Sequence, residues 1–366
     1  MTEPSAPRKR PEFSQDPRNL SEFWQDLPML KRYPVIAGAL AGLLLRLVFS
    51  GEGGSAWSAM VGAFIFGVPL FVGMLTVYLA ERQRRRTWAY YIIAPLLATG
   101  LFVAGTLILL IEGAICAIVI IPMFAMLGAI GGLFMGYVCR VTNWPRPPLQ
   151  CAAALPLILA MLGPVIPTPT DIGVIERAVV VAAPASVVWD NLNDVRQIKP
   201  HEMADALALR IGVPVPISGV TRESATGPVR ESRWGKHVHF DEVIEDWQPH
   251  RYLRWTYRFA PDSFPRQALD DHVLIGGHYF DVLDTSFSLQ PGADGLTTRL
   301  TTRVHYRIST QFNFYADWVA QLLLGNLSEV GLRLYKTRSE QAIIPPGPAG
   351  SSATVDGDKA THRWPG

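Results

Sequence analysis

The sequence predicts two unlike halves. The first is an α-helical membrane bundle of four to five spans; the second is an α+β domain of about six antiparallel strands followed by one long C-terminal helix. Three observations carry this division. Long apolar runs fill the chain up to about Thr168, ordinary alternation of apolar and polar residues begins at Asp171, and the later elements come in the order strand, two helices, strands, long helix. The whole chain is 49% hydrophobic and only 17% charged, against roughly a quarter charged in soluble proteins. The formal charge of +2 predicts no polyanionic partner, and no nucleic-acid binding is expected. The expected divisions are a polar segment over 1–30, a membrane region over 31–168, a globular domain over 169–342 and a polar, disordered tail over 343–366.

Spans are expected over 33–50, 56–80, 88–111, 114–138 and 149–166, each near the roughly 20 apolar residues that cross a bilayer core. The last is short and holds Pro156 and Pro164. The first thirty residues hold "PRKR" but no apolar core, so a cleavable signal peptide is not expected and the first span acts as the anchor. Ahead of it, Leu20, Phe23, Trp24, Leu27 and Leu30 recur at helical spacing, which suits a helix lying in the interface.

Lys31 and Arg32, the "ERQRRR" run ending at Arg86, and Arg140 with Arg146 all fall on one side of this pattern, while the opposite loops carry no Lys or Arg. In a bacterium this charge bias predicts a multi-pass inner-membrane protein with a cytoplasmic N-terminus. Five spans then place the globular domain in the periplasm; if the fifth segment lies only in the interface, the domain is cytoplasmic.

Arg46 and Glu112 sit within or at the ends of spans, near one face of the membrane, where charges are costly. Two readings stand: a structural Arg46–Glu112 pair, or a polar site beside Cys116 and Pro122 within reach of a head group. The "GAIGGLFMG" run offers small residues for close helix packing. The three cysteines, Cys116, Cys139 and Cys151, all lie in or beside apolar segments. The later domain therefore offers neither a disulfide nor a thiolate.

In the second half, "IERAVVVAA" reads as a strand and "PASVVWDNL" as a helix with Pro184 at its start. "DVRQIKPHEMADALAL" suggests a second short helix. Strands are expected over 217–223, 229–235, 237–247, 251–260, 272–290 and 296–308, with "WQPH", "APDSFP" and "PGADG" as turns. A long helix follows over 311–340, with Phe314, Trp318, Leu322, Leu323, Leu327, Val330 and Leu334 assigned to one face.

This order, the "VVVAAPASVVWDNL" opening and the long final helix resemble the START-like, polyketide-cyclase/dehydrase (SRPBCC) superfamily. The resemblance covers nearly half the chain. It implies a helix-grip fold, in which a curved sheet grips the long helix around a largely apolar cavity. It does not imply one activity.

Strand alternation then selects the residues expected to face that cavity. Leu253, Trp255, Tyr257 and Phe259 share a face, as do Leu296, Leu300, Val304, Tyr306 and Ile308. Glu242 falls inward among Val238, Phe240 and Ile244. Asp281 and Tyr279 follow the inward parity of Leu283, Phe287 and Leu289, while Trp234 brings in Ser232 and Arg230. A buried carboxylate without a partner costs several kcal/mol, so Glu242 and Asp281 require Arg230 or a polar group of a ligand. His237, His239 and Asp241 share a single outward face and read as solvated; His272 and His278 flank "VLIGG". No metal and no cofactor are expected.

Three functions follow. The first is a membrane-anchored domain binding a lipid or other hydrophobic small molecule, with Glu242, Asp281 and Arg230 fixing its polar end. The second is a cyclase-, dehydratase- or hydrolase-like enzyme on a membrane-soluble substrate. The third is a sensing or scaffolding module with a cavity filled by its own side chains.

Overall fold

The computed structural model describes residues 33–51, 58–142, 168–225, 227–265, 268–269 and 272–343. The expected interfacial helix, the fifth apolar segment, Cys151 and the polar tail lie outside these residues.

Among the described residues, the first half holds four helices: α1 (Tyr33–Val48), α2 (Ala63–Gln83), α3 (Trp88–Ile108) and α4 (Ala114–Val141). The last three are long and apolar enough to cross a membrane. α1 is apolar, and 16 of its residues are described. Large apolar side chains point outward from the bundle, with Leu44 at 64% and Phe134 at 56% exposure, a pattern that water disfavours and lipid tolerates. The interior instead takes small and hydroxylated residues. Buried Thr76 and Thr99 return their hydroxyls to the carbonyls of Val72 and Pro95, so neither donor is stranded. A Cβ added to Gly73 would meet the backbone of Gly128, and one added to Gly131 would meet that of Leu70. The "GAIGGLFMG" glycines thus let α2 and α4 touch backbone to backbone.

The charged residues of the bundle collect at its two ends. At one end Arg140 donates to the Arg86 carbonyl at 2.9 Å and to the Tyr91 hydroxyl at 3.2 Å. At the other, Arg46 and Glu112 meet at 2.7 Å. The first turn of α2, Ala63–Gly67, is π-helical and lies at this second end.

The second half is a single eight-stranded antiparallel sheet in the order β1-β8-β7-β6-β5-β4-β3-β2. Its strands are β1 (Asp171–Val181), β2 (Asp194–Val195), β3 (Pro216–Ser224), β4 (Gly227–Trp234), β5 (His239–Gln248), β6 (Tyr252–Arg258), β7 (Phe280–Pro291) and β8 (Thr298–Ile308). Helix α5 (Ala185–Asn193) starts after Pro184 as expected, α6 spans Leu207–Arg210, and α7 (Asn313–Ala342) runs for 30 residues against the sheet. A curled sheet holding one long helix is the helix-grip arrangement. Between them, Trp189, Trp255, Phe287, Leu300, Val330 and Tyr335 pack as a core.

Five expectations need correction. The segment after Asn193 is not one helix, because Asp194–Val195 pairs with β3 and Pro200 opens a short 3₁₀ turn, Pro200–Met203, before α6. The expected strand over 272–290 begins only at Phe280, and Leu296 lies in a turn at 67% exposure. Most consequentially, the register of β7 against β8 shifts between Val282 and Asp284. This bulge reverses the parity upstream of it: Val282 is buried opposite Tyr306, while Asp281 pairs with outward-facing Arg307 and accepts the Gly276 amide at 2.7 Å. The last concerns α7. At 100° per residue Phe314, Trp318 and Leu322 fall on one side, and Leu323, Leu327, Val330 and Leu334 on the opposite one. The first three are exposed, at 70%, 59% and 46%.

Candidate functional site

Within the sheet-and-helix core lies a polar knot. Arg230 on β4 stands opposite Glu242 on β5, and both side chains are almost wholly buried. The guanidinium donates to Glu242 through Nη1, to the Leu192 carbonyl through Nε at 3.2 Å and to the Tyr335 hydroxyl through Nη2 at 3.2 Å. Gly219 on β3, paired with Ser232, leaves room that any side chain would take from the guanidinium. Burial pushes the Glu242 carboxyl upward against the pull of Arg230, and burial followed by the Glu242 charge raises the Tyr257 phenol. One cation thereby ties α5, the sheet and α7 together. Trp255 lies under the guanidinium, 5.2 Å from it, and Tyr257 bonds to the Thr285 hydroxyl at 2.7 Å. Tyr306 donates to Asp317 at 2.6 Å and accepts from Gln321 at 2.7 Å, fastening β8 to α7.

A cavity of about 270 Å³ lies where the open end of the cup meets the bundle. None of Glu242, Arg230, Trp255, Tyr257, Tyr306 and Asp281 lines it. The bundle contributes Phe64, Phe102, Ile120 and Phe124; the cup contributes Trp234, Phe240, Tyr279 and Leu323. The wall is therefore mostly apolar and is built by both halves. The π-helical turn of α2 supplies Phe64 and Ile65 to it; such a wide turn re-aims side chains that an α-helix would direct elsewhere.

The two halves are joined around this cavity by specific bonds. Ser58 and Tyr279 share a hydrogen bond at 2.8 Å, the Gly62 amide donates to Gln311 at 2.6 Å, and the Tyr315 hydroxyl donates to the Val119 carbonyl at 2.6 Å. Phe66 stacks on Phe314, and Phe312 enters the core of the bundle itself. The cup thus sits on the Arg46–Glu112 end of the bundle, away from the basic end.

The polar part of the cavity wall gathers at one place. Glu112 accepts from Arg46 through Oε1 at 2.7 Å and turns Oε2 to His272 Nδ1 at 3.4 Å. Cys116 Sγ stands 3.7 Å from the same nitrogen. Arg46 also donates to the Phe49 carbonyl at 2.7 Å. Sequence reasoning found Arg46 and Glu112 as a pair, placed Cys116 beside them, and named Trp234 and Tyr279 as cavity residues. It did not connect His272, 156 residues from Cys116, because a loop histidine carries no periodicity to follow. His237, His239 and Asp241 remain on the outer surface of the cup, where His239 meets Asp262 at 3.6 Å.

No family model and no curated protein matches the sequence. Among solved structures, an aromatase/cyclase from Streptomyces sp. R1128 aligns at 15% identity over 48% of this chain and 99% of its own, with a TM-score of 0.31. A START superfamily protein from Mycobacterium smegmatis aligns at 15% identity over 46% and 98%, TM-score 0.29. A protein of Thermus thermophilus aligns at 19% identity over 47% and 99%, TM-score 0.29. Likenesses this distant assign no activity, and the fold is defined by the strand order and by α7.

Proposed function

We propose that the protein is a membrane-anchored binder of a lipid or other hydrophobic small molecule, held between the bundle and the cup. One observation carries this reading: an apolar cavity whose wall is completed only when both halves are present, with its Arg, Glu and His side chains confined to Arg46, Glu112 and His272. Its volume is close to the lower end of ordinary small-molecule pockets, roughly 300–1,000 Å³. Phe314, Trp318 and Leu322 form an exposed apolar row beside Phe66, which suits contact with the bilayer interface, where Trp and Phe are favoured.

The bundle is read as spanning the inner membrane of a bacterium. The basic end around Arg86 and Arg140 faces the cytoplasm, and the cup docks at the periplasmic end. The ligand's apolar body lies against Phe64, Phe124 and Phe240, and its polar end points to the Arg46–Glu112–His272 corner.

The test is extraction and mass spectrometry of small molecules from the full chain purified in mild detergent, beside Leu323→Trp, which fills the cavity. A defined hydrophobic compound near one per chain, absent from Leu323→Trp of unchanged melting temperature, is expected. An empty wild-type chain, or equal retention by the variant, would overturn the reading.

A further inference from the structure

The geometry points to a divalent transition-metal site, zinc being the best fit, formed by Glu112, Cys116 and His272 where the bundle meets the cup. Three donors of different chemistry converge there on one point. The carboxylate oxygen, thiol sulfur and ring nitrogen all lie within 4.8 Å of one another. In a tetrahedral zinc site, with Zn–S about 2.3 Å and Zn–N or Zn–O about 2.0–2.2 Å, donor atoms stand roughly 3.3–3.6 Å apart. The Glu112–His272 distance is 3.4 Å and the Cys116–His272 distance is 3.7 Å. The first separation lies inside that range and the second just beyond its upper end.

The same geometry argues against a cysteine–histidine–carboxylate relay. A relay uses opposite ring nitrogens, one toward the nucleophile and one toward the carboxylate. Here Cys116 and Glu112 both approach Nδ1 of His272. A shared nitrogen suits donors arranged around a common centre.

The surroundings supply what such a centre needs. Arg46 holds the other Glu112 oxygen at 2.7 Å, orienting the carboxylate as outer partners of metal ligands commonly do. A thiolate and a carboxylate together balance a dication, and the Arg46 charge then remains in excess, bonded to Glu112 and the Phe49 carbonyl. All three donors line the cavity. Three protein ligands leave the fourth tetrahedral position facing that space, open to water or to an oxygen of a bound molecule. The metal also links α4 and the loop before it to the cup, and its binding does not depend on which molecule fills the cavity.

The experiment uses the full chain in detergent, stripped with chelator and titrated with Zn(II) and, separately, Co(II). One metal per chain is expected, with a thiolate-to-cobalt charge-transfer band and the intense ligand-field bands of tetrahedral cobalt. Cys116→Ser should lose the charge-transfer band, and His272→Ala should weaken binding by about a hundredfold or more. The double variant Cys139→Ser/Cys151→Ser should keep both signals. Thermal melting of each metal-free variant separates loss of a ligand from loss of fold; should His272→Ala misfold, the nearly isosteric Cys116→Ser decides. Failure of the wild-type chain to take up stoichiometric metal would overturn the proposal, as would a cobalt spectrum unchanged in Cys116→Ser.

Discussion

Among the described residues, two Arg–Glu pairs are withdrawn from water, Arg230–Glu242 and Arg46–Glu112, and they differ in what surrounds them. Arg230–Glu242 lies inside the cup, its cation also bonded to the Leu192 carbonyl and the Tyr335 hydroxyl. Arg46–Glu112 lies at the junction of bundle and cup, and its carboxylate turns a second oxygen toward His272 and an apolar cavity. Both look alike as charges among apolar residues. The first is closed by the protein's own atoms; the second leaves a face for something else. A buried charge therefore marks a candidate site only when part of its bonding capacity is directed at space.

Breaking the closed pair should have the largest effect. Glu242→Gln leaves the Arg230 charge without a counter-ion in the core, its bonds to Leu192 and Tyr335 being to neutral groups, and removing one member of a buried pair costs about 3–5 kcal/mol. A large drop in melting temperature, followed by tryptophan fluorescence in detergent, is the expected result. Glu112→Gln should cost less, about 1–2 kcal/mol, because Arg46 borders the cavity and is not sealed within the core. Equal losses in the two variants would erase the difference between the pairs.

The junction itself can be probed by a double-mutant cycle on Ser58→Ala and Tyr279→Phe. Their shared hydrogen bond predicts a coupling of about 0.5–1.5 kcal/mol. A coupling near zero would mean that the cup is not seated on the bundle in solution.

The smallest effect is expected at a third Arg–carboxylate pair, Arg338–Glu202, which is more open to water than the core pair. Arg338 holds the Glu202 carboxyl at about 2, below the unfolded value of roughly 4.3. Its contribution is therefore present above about pH 4.3 and is lost as pH falls toward 2. Glu202→Gln should flatten the acid limb of the stability profile by no more than about 1 kcal/mol.

The fold was largely legible because its signals are local. Pro184 marks the start of α5, strand alternation places Glu242 and Arg230 inward, and apolar length marks α2 to α4. What was illegible depends on contacts that no period encodes. The bulge at Val282/Asp284 moves Asp281 outward by inserting one residue, and nothing in "FDVLDTSF" announces it. The two apolar stripes of α7 are separable by angle, yet only the packing shows that Val330 and Leu334 are buried and that Phe314 and Trp318 are exposed. The meeting of Cys116 with His272 joins a bundle helix to a loop of the cup, and only the docking of the two halves creates it.

Helix α7 has one further consequence. At 1.5 Å per residue its 30 residues make a rod about 45 Å long. Its first two turns are anchored through Phe312, Tyr315 and Ala316 to the bundle, and its remainder is clasped by the sheet. Because the sheet clasps the rest of the rod, cup and helix turn together about the bundle end, and α7 serves as the lever arm of that motion. A pivot that shifts its third turn by about 1 Å sweeps the far end near Ala342 by about three times as much, by simple proportion of lengths. A spectroscopic label near Ala342, paired with one on the bundle, would register an occupant prying the two halves apart as a magnified displacement.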